Sequence, residues 1–320
     1  MSVRRQSPYL YKSKNEYFAQ GNMYDLESKY VQVNGVNLHY KEAGKGELVI
    51  LLHGFPEFWY SWRTLIPVLA EHYHVVAPDM RGYNLSEKPS KVSDYKLSTL
   101  RDDVKALIAQ FGAERAHIVA HDWGGVVAWQ LVIDFPELVD RFVVLNCPHP
   151  SAFSKELKGN FSQLLRSWYM FFFQIPFLPE LLIAASLKSR LKAVMQGWSY
   201  NKQAYTDDDI EAYVRSYRIK GTLKATINYY RALFRYGPPR SPNWRNKIAV
   251  PTKAIWGEND KAMGVKMIED TARYFNGNFK LVKIANCSHW VQHEYPEQVN
   301  KEILNFLLDV EEDNPGNFSL

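Results

Sequence analysis

Residues 116–129 read A-H-I-V-A-H-D-W-G-G-V-V-A-W, and they restrict the possible folds more than any other stretch of the chain. Residues 117–120 are a short apolar, β-branched run of the kind buried in a parallel sheet. Residues 124–130 are small and apolar, as in a helix packed closely on its neighbours. Between them sit His121, Asp122 and Trp123. Holding a carboxylate between a hydrophobic strand and a hydrophobic helix costs free energy, so this position needs a reason. The frame from Ala120 to Gly124, small-x-acid-x-small, suits the sharp strand-to-helix turn of a nucleophile elbow, with Asp122 where a G-x-S-x-G turn carries serine. Small flanking residues let strand and helix approach, and the turn lifts the central side chain beside the amide donors of the helix start. The competing reading is that Asp122 merely caps the helix, a position aspartate favours.

The rest of the chain supplies a frame for this turn. Residues 30–33 and 36–41, joined by Asn34-Gly35, predict a β-hairpin, because Asn-Gly accepts the positive φ angles of a tight turn. Apolar strands are expected at 47–52, 74–77, 141–145, 251–256 and 279–284. Helices are expected at 61–71, 97–111, 265–275 and 296–308. In residues 97–111, Leu100, Val104, Leu107, Ile108 and Phe111 recur at helical spacing. Strands alternating with helices imply an α/β fold with a doubly wound, mostly parallel sheet. After Pro150 the rhythm stops. Aromatic-rich helices are expected at 161–173, 180–187, 207–218 and 223–235, the last two capped by Thr206 and Thr222. The expected organisation is an α/β core from 1–148 and 247–320, interrupted by a helical cap at 149–246.

Asp122, Asp260 and His289 each lie just beyond the carboxyl end of an expected strand, where open α/β sheets place their ligands. Their chain order, nucleophile, acid, histidine, is that of an α/β-hydrolase triad. A lone aspartate in Gly-Glu-Asn-Asp260 is usually a turn residue and a lone histidine in Ser-His289-Trp a loop residue, so the argument rests on all three together. His289 and His293 are four residues apart, but Trp290 replaces the glutamate of H-E-x-x-H and no third ligand is placed, so no metal is expected. Gly44-Lys45-Gly46 precedes a strand instead of following one and is no phosphate loop. Cys287 precedes Ser288-His289, and a small packed residue is a better reading of it than a thiolate nucleophile.

Composition narrows the remaining classes. A 320-residue chain that is 46% hydrophobic and 23% charged can bury one large core plus an insertion. A net charge of +5 from scattered Lys and Arg makes a nucleic-acid partner unexpected, and two cysteines suggest a reduced, cytoplasmic setting. Residues 1–20 have no apolar core and do not read as a secretory signal. The most apolar window, 168–186, contains Pro176, Pro179 and Glu180, which argues against a membrane span of about 20 clean residues. Peripheral membrane contact through it stays open.

The segments H-G-F-P-E-F-W-Y-S-W-R at 53–63, D-M-R-G-Y at 79–83 and H-D-W-G-G at 121–125 resemble the signatures of epoxide hydrolases of the α/β-hydrolase fold, and the similarity extends over roughly residues 28–309. The resemblance implies Asp122 as nucleophile, His289 as base, Asp260 as its orienting acid, and the amides of Phe55 and Trp123 as oxyanion hole. It also implies two cap tyrosines that bind the epoxide oxygen, falling on Tyr169 and on Tyr230. Tyr229 is the fallback for Tyr230, since adjacent helical residues point about 100° apart. Trp168, Phe172 and Trp290 are expected to contact substrate. An aromatic cap containing Phe171, Phe173, Phe177 and Leu178 predicts an apolar epoxide, with water as co-substrate and no cofactor. His53, Asp79, Arg81 and His121 are expected to support the loops. A monomer or homodimer is expected.

A dehalogenase shares the aspartate nucleophile, the following tryptophan and the histidine-activated water. Haloalkane dehalogenases, however, commonly carry asparagine where this chain has Phe55, and fluoroacetate dehalogenases arginine where it has Trp123. A non-catalytic binding module is the other class, and loss of a triad member would be its sign.

Overall fold

The computed structural model describes residues 26–239 and 241–310, so the expectation for residues 1–20 falls outside the described residues. Eight strands form one sheet in the order β1-β2-β4-β3-β5-β6-β7-β8: β1 Lys29–Val33, β2 Val36–Ala43, β3 Leu48–Leu52, β4 His74–Pro78, β5 Ala116–His121, β6 Val139–Leu145, β7 Thr252–Gly257 and β8 Phe279–Ile284. β1 pairs antiparallel with β2 and β2 with β4, and the remaining pairs are parallel. The expected hairpin is present, and its turn residues Asn34 and Gly35 both have positive φ.

β3 is Leu-Val-Ile-Leu-Leu and buried throughout, as a central parallel strand covered by helices on both faces must be. Each such side chain contributes about 1.5–3 kcal/mol by leaving water. The helix Asp122–Asp134 is likewise buried on nearly every face. Leu97–Gln110 buries Leu100, Val104, Leu107 and Ile108, the expected stripe.

The register positions the site. Leu52 pairs with Ala120, His121 with Leu145, Leu145 with Ile255, and Gly257 with Ile284, so the loops after β3, β5, β6, β7 and β8 open on the same edge. The chain runs from β3 outward to β4 and then returns to β5 on the other side of β3. The β3/β5 boundary is therefore a topological switch point, the usual crevice for a ligand in an open α/β sheet.

Several helices differ from expectation. Residues 61–71 hold a short 3-10 helix, Trp59–Trp62, and an α-helix, Ile66–Ala70. The helix expected at 161–173 is two, Phe161–Arg166 and Trp168–Phe172, broken where Ser167 leaves helical geometry. Pro150–Gly159 and Leu187–Trp198 are further helices that the sequence reading missed, and Leu178–Ala185 begins two residues early. Thr206 caps Asp207–Arg218 through a capping box with Asp209. Thr222 is instead the first residue of Thr222–Tyr236, with Gly221 as its left-handed cap. Lys266–Thr271 continues into a 3-10 turn, Ala272–Tyr274. Among the described residues the elements between β6 and β7 are all helical, and Phe173 and Tyr230 from them pack on Phe55 and Trp123 beyond the carboxyl ends of β3 and β5. Among the described residues, no helix is long and apolar enough to cross a membrane.

Candidate active site

Asp122 begins its helix with φ of +46°, a left-handed conformation that a side-chain-bearing residue adopts at a cost of order 1–3 kcal/mol. The approach that demands this turn is visible at two glycines. A Cβ on Gly124 would stand 2.2 Å from the Leu52 carbonyl oxygen, and one on Gly54 would stand 2.5 Å from Cβ of Asp122. Asp122 does not act as a cap: the capping position belongs to His121, and Oδ1 of Asp122 accepts the N–H of Phe55 at 2.8 Å. Asp122 is buried, with 8% of its surface exposed.

Oδ2 of Asp122 stands 3.6 Å from Nε2 of His289. On the other side of the ring, Nδ1 of His289 is 2.8 Å from Oδ2 of Asp260. Three residues from three different strand ends are thus joined. Asp260 is fully engaged: Oδ1 accepts the amides of Ala262 (2.6 Å) and Met263 (3.0 Å), and Oδ2 also accepts Nδ2 of Asn146 at 2.7 Å. Burial alone would raise its pKa, but His289, Asn146 and the Met263 amide together hold the carboxyl below its ordinary value. For His289 burial opposes the charged ring, yet the carboxylates of Asp260 and Asp122 outweigh it and raise the imidazole well above its ordinary value.

Asn146 was not singled out from sequence. It directly follows β6, has positive φ, bonds Asp260 through Nδ2 and accepts the Gly257 amide on Oδ1 at 3.0 Å. The strand-end rule that found the triad would have found it too.

A second buried cluster supports the loops. Glu57 has no exposure and faces Nδ1 of His121 (2.7 Å), Nε2 of His293 (3.1 Å) and Nε2 of Gln292 (3.2 Å). Burial alone would raise its carboxyl, but the two histidines hold it well below the ordinary value. Nε2 of His121 reaches the His289 carbonyl at 2.9 Å, which joins the elbow to the histidine loop. Arg63 donates to Nδ1 of His293 at 3.1 Å, so that ring keeps its proton on the Nε2 facing Glu57. Burial, with Arg63 nearby, lowers its pKa to about 4. His293 therefore works with Glu57 as a structural element, and among the described residues no group of acidic, histidine and cysteine side chains is placed to hold a metal. His53 accepts the Met80 amide on Nε2, Asp79 accepts from Trp59 and Asn84, and Arg81 pairs with Asp103. Cys287 is buried, which pushes its thiol up and leaves it un-ionised.

The roof comes from the insertion. Tyr169 and Tyr230 meet edge to face with centroids 5.9 Å apart, and Tyr230 also packs on Trp123 (5.0 Å), Phe55 (5.5 Å) and Phe173 (5.0 Å). Burial first, and then the nearby Asp122 charge among other groups, raises both phenols, so they keep their protons. Tyr229 points elsewhere: its hydroxyl donates to the Arg81 carbonyl at 2.7 Å among Tyr83, Tyr95 and Trp123. Arg231 donates to the carbonyls of Phe173 and Ile175 and pairs with Glu180, tying the two tyrosine-bearing helices together. Trp290 is buried edge-on to His289 at 5.3 Å, and Phe172 is half-buried against Phe173. Trp168 packs on Phe172, with ring centroids 5.9 Å apart, but from the outer side. It is 59% exposed, because Tyr169 and Phe173, four apart on one helical face, take the inward direction and turn its neighbour out. Phe171, Phe177 and Leu178 are also exposed, so only part of the aromatic segment lines the cleft.

An eight-stranded, mostly parallel sheet with an acid at the elbow and a histidine-acid pair at later strand ends defines an α/β hydrolase. The α/β-hydrolase-fold family matches residues 47–296, and the chain belongs to it. Within that fold it belongs with the epoxide hydrolases. It is 38% identical to epoxide hydrolase 1 of Caenorhabditis elegans over 288 residues, covering 88% of this chain and 70% of that protein. Human epoxide hydrolase 4 is also 38% identical over 288 residues, with coverages of 88% and 78%. The Bacillus megaterium epoxide hydrolase crystallised with an inhibitor superposes with a TM-score of 0.77 at 34% identity, over 88% of this chain and all of that one.

Proposed function

We propose that the protein opens an apolar epoxide to a vicinal diol through an ester on Asp122. The observation that carries this reading is the pairing of the Asp122 carboxylate with His289 on one side and, above it, two protonated tyrosines. Oδ2 attacks an epoxide carbon, and the C–O bond breaks toward the ring oxygen. Tyr169 and Tyr230 hydrogen-bond that oxygen, and one of them supplies its proton. A departing halide would need no proton, so the tyrosine pair favours an epoxide over a haloalkane.

Nε2 of His289 then takes a proton from water, and the water oxygen attacks Cγ of the ester. Negative charge develops on Oδ1, where the Phe55 amide is already bonded, and the Trp123 amide is the second donor of this reading. Collapse releases the second hydroxyl, and the protons taken up by His289 and the carboxyl restore the leaving group and the tyrosine. Ester formation also removes the Asp122 charge that raises His289, so the ring becomes easier to use as a neutral base when water must be activated. Asp260, anchored by Asn146 and two amides, holds Nδ1–H and with it the tautomer. Core segments 1–148 and 247–320 carry the nucleophile and base, and the cap, 149–246, carries the acids. Water and the epoxide are the only reactants, and Phe55, Phe172, Phe173 and Trp290 supply an apolar wall.

Single-turnover hydrolysis of styrene oxide in heavy-oxygen water tests the scheme. The first diol formed should contain only light oxygen, taken from Asp122, with label entering from the second turnover. Heavy oxygen in the first turnover would mean direct hydration and would overturn the covalent route.

A further inference from the structure

The outer surface of the helical insertion is unlike the rest of the molecule. Ten of the sixteen most exposed large hydrophobic side chains among the described residues lie in residues 161–182, and they include Phe161 (74% exposed), Phe177 (80%) and Leu181 (67%). Soluble monomers rarely expose apolar patches beyond a few hundred Å² without a partner. The run is held together: Phe171 packs edge-on against Phe234 at 5.3 Å, and Arg231 ties the 173–175 turn to Glu180. The only charges within it are Arg166 and Glu180, and the latter is engaged by Arg231.

The surrounding charge is positive. Residues 151–200 contain six basic and two acidic side chains, a net +4, with Lys155, Lys188 and Lys192 paired to Asp270, Glu211 and Asp207 outside that stretch. Beside the end of Leu178–Ala185, an open groove of about 630 Å³ runs from Glu180, whose carboxylate is held by Arg231, past Ala184 and Ala185 to Lys188, Arg218, Lys220 and Lys224. Lys188 and Arg218 share Glu211, whereas Lys220 and Lys224 are exposed and make no ion pair among the described residues. Aromatic and aliphatic side chains at the surface with cations at their margin is the composition of an interfacial anchor: rings and methyls enter the acyl boundary while lysines meet headgroup phosphates.

We infer that this face of the insertion seats the protein on an anionic phospholipid surface, with the groove of Lys188, Arg218, Lys220 and Lys224 receiving headgroup phosphate. A second copy of the chain fits less well, because a symmetric contact would bring this basic stretch against itself. The inference rests on the surface alone and stands apart from the catalytic reading.

The test is co-sedimentation of the full chain with phosphatidylcholine vesicles, with and without phosphatidylserine, at physiological salt. The expected result is binding at least about tenfold stronger to the anionic vesicles. The variant Phe161→Ser/Phe177→Ser/Leu181→Ser should lose binding to both. Lys220→Glu/Lys224→Glu should lose the anionic preference, by about fivefold for each charge removed. Circular dichroism and turnover of a water-soluble epoxide should be unchanged in both variants, and should the triple variant fail to fold, the charge pair still decides the matter. Absence of vesicle binding by the parent protein overturns the inference. So does a triple variant that converts a dimer to a monomer in light scattering while binding vesicles as before, which would make this face a contact between copies.

Discussion

The floor and the roof of the cleft are built on different principles. On the floor, Asp122, Asp260 and His289, the proposed nucleophile, acid and base, sit on strand ends in register, and close contacts leave no slack: Gly54 and Gly124 lack even the room for a methyl group. On the roof, Tyr169 and Tyr230 are placed by ring-edge contacts and by the Arg231 tie between two short helices. Sheet geometry cannot be adjusted locally, whereas aromatic packing can be exchanged ring by ring at modest cost. The proposed Asp122–His289–Asp260 chemistry therefore belongs to the floor and the proposed epoxide acids to Tyr169 and Tyr230, while substrate preference can vary over the other rings of the roof.

The sharpest way to break this division is Asp122→Ala, which should lower diol formation by about 10⁴-fold or more with melting behaviour preserved. Parent-level turnover in that variant would place the nucleophile elsewhere. Next, His289→Gln should lower steady-state turnover about 10³-fold while ring opening continues, so intact-protein mass spectrometry should find the substrate's mass added to the chain. An unmodified protein would separate His289 from the hydrolytic half. On the roof, Tyr169→Phe or Tyr230→Phe alone should cost about 10²-fold in ring opening and the pair far more, whereas Tyr229→Phe should leave ring opening alone and lower stability by about 1 kcal/mol through its lost bond to Arg81. Equal kinetic losses at 229 and 230 would break the assignment.

The smallest effect is in pH. The His289 value is raised in the folded protein, so its contribution to stability is complete below the unfolded value of about 6.5 and is lost as pH rises through the folded value. The Tm difference between parent and His289→Gln should therefore shrink by about 3 °C from mildly acid to alkaline pH. A difference that grows with pH would show that the ring is held neutral.

What could be read from the chain follows the same division. Asp122, Asp260 and His289 were legible because each is announced locally, by an apolar strand ending in a polar turn. The parallel sheet was legible for the same reason, its strands being short apolar runs. Glu57 was not, since its partners His121 and His293 lie 64 and 236 residues away and no periodicity reports such a meeting. The roof was legible as helix but not as orientation. Ser167 breaks an apparently continuous helix and resets its phase, so a side chain expected to face inward, Trp168, emerges at the surface. Asn146 was within reach, as a polar residue at the end of β6, the strand between the elbow and β7.

One bond on the floor has a bearing on timing. The Phe55 N–H already holds Oδ1 of Asp122 in the resting protein. In the proposed cycle that oxygen is in turn a carboxylate partner, an ester carbonyl and an alkoxide, while its donor never has to be recruited. The dipole is paid in advance by folding, so only the strength of a single contact changes as charge collects there, and neither loop closure nor rearranged solvent need precede release of the diol.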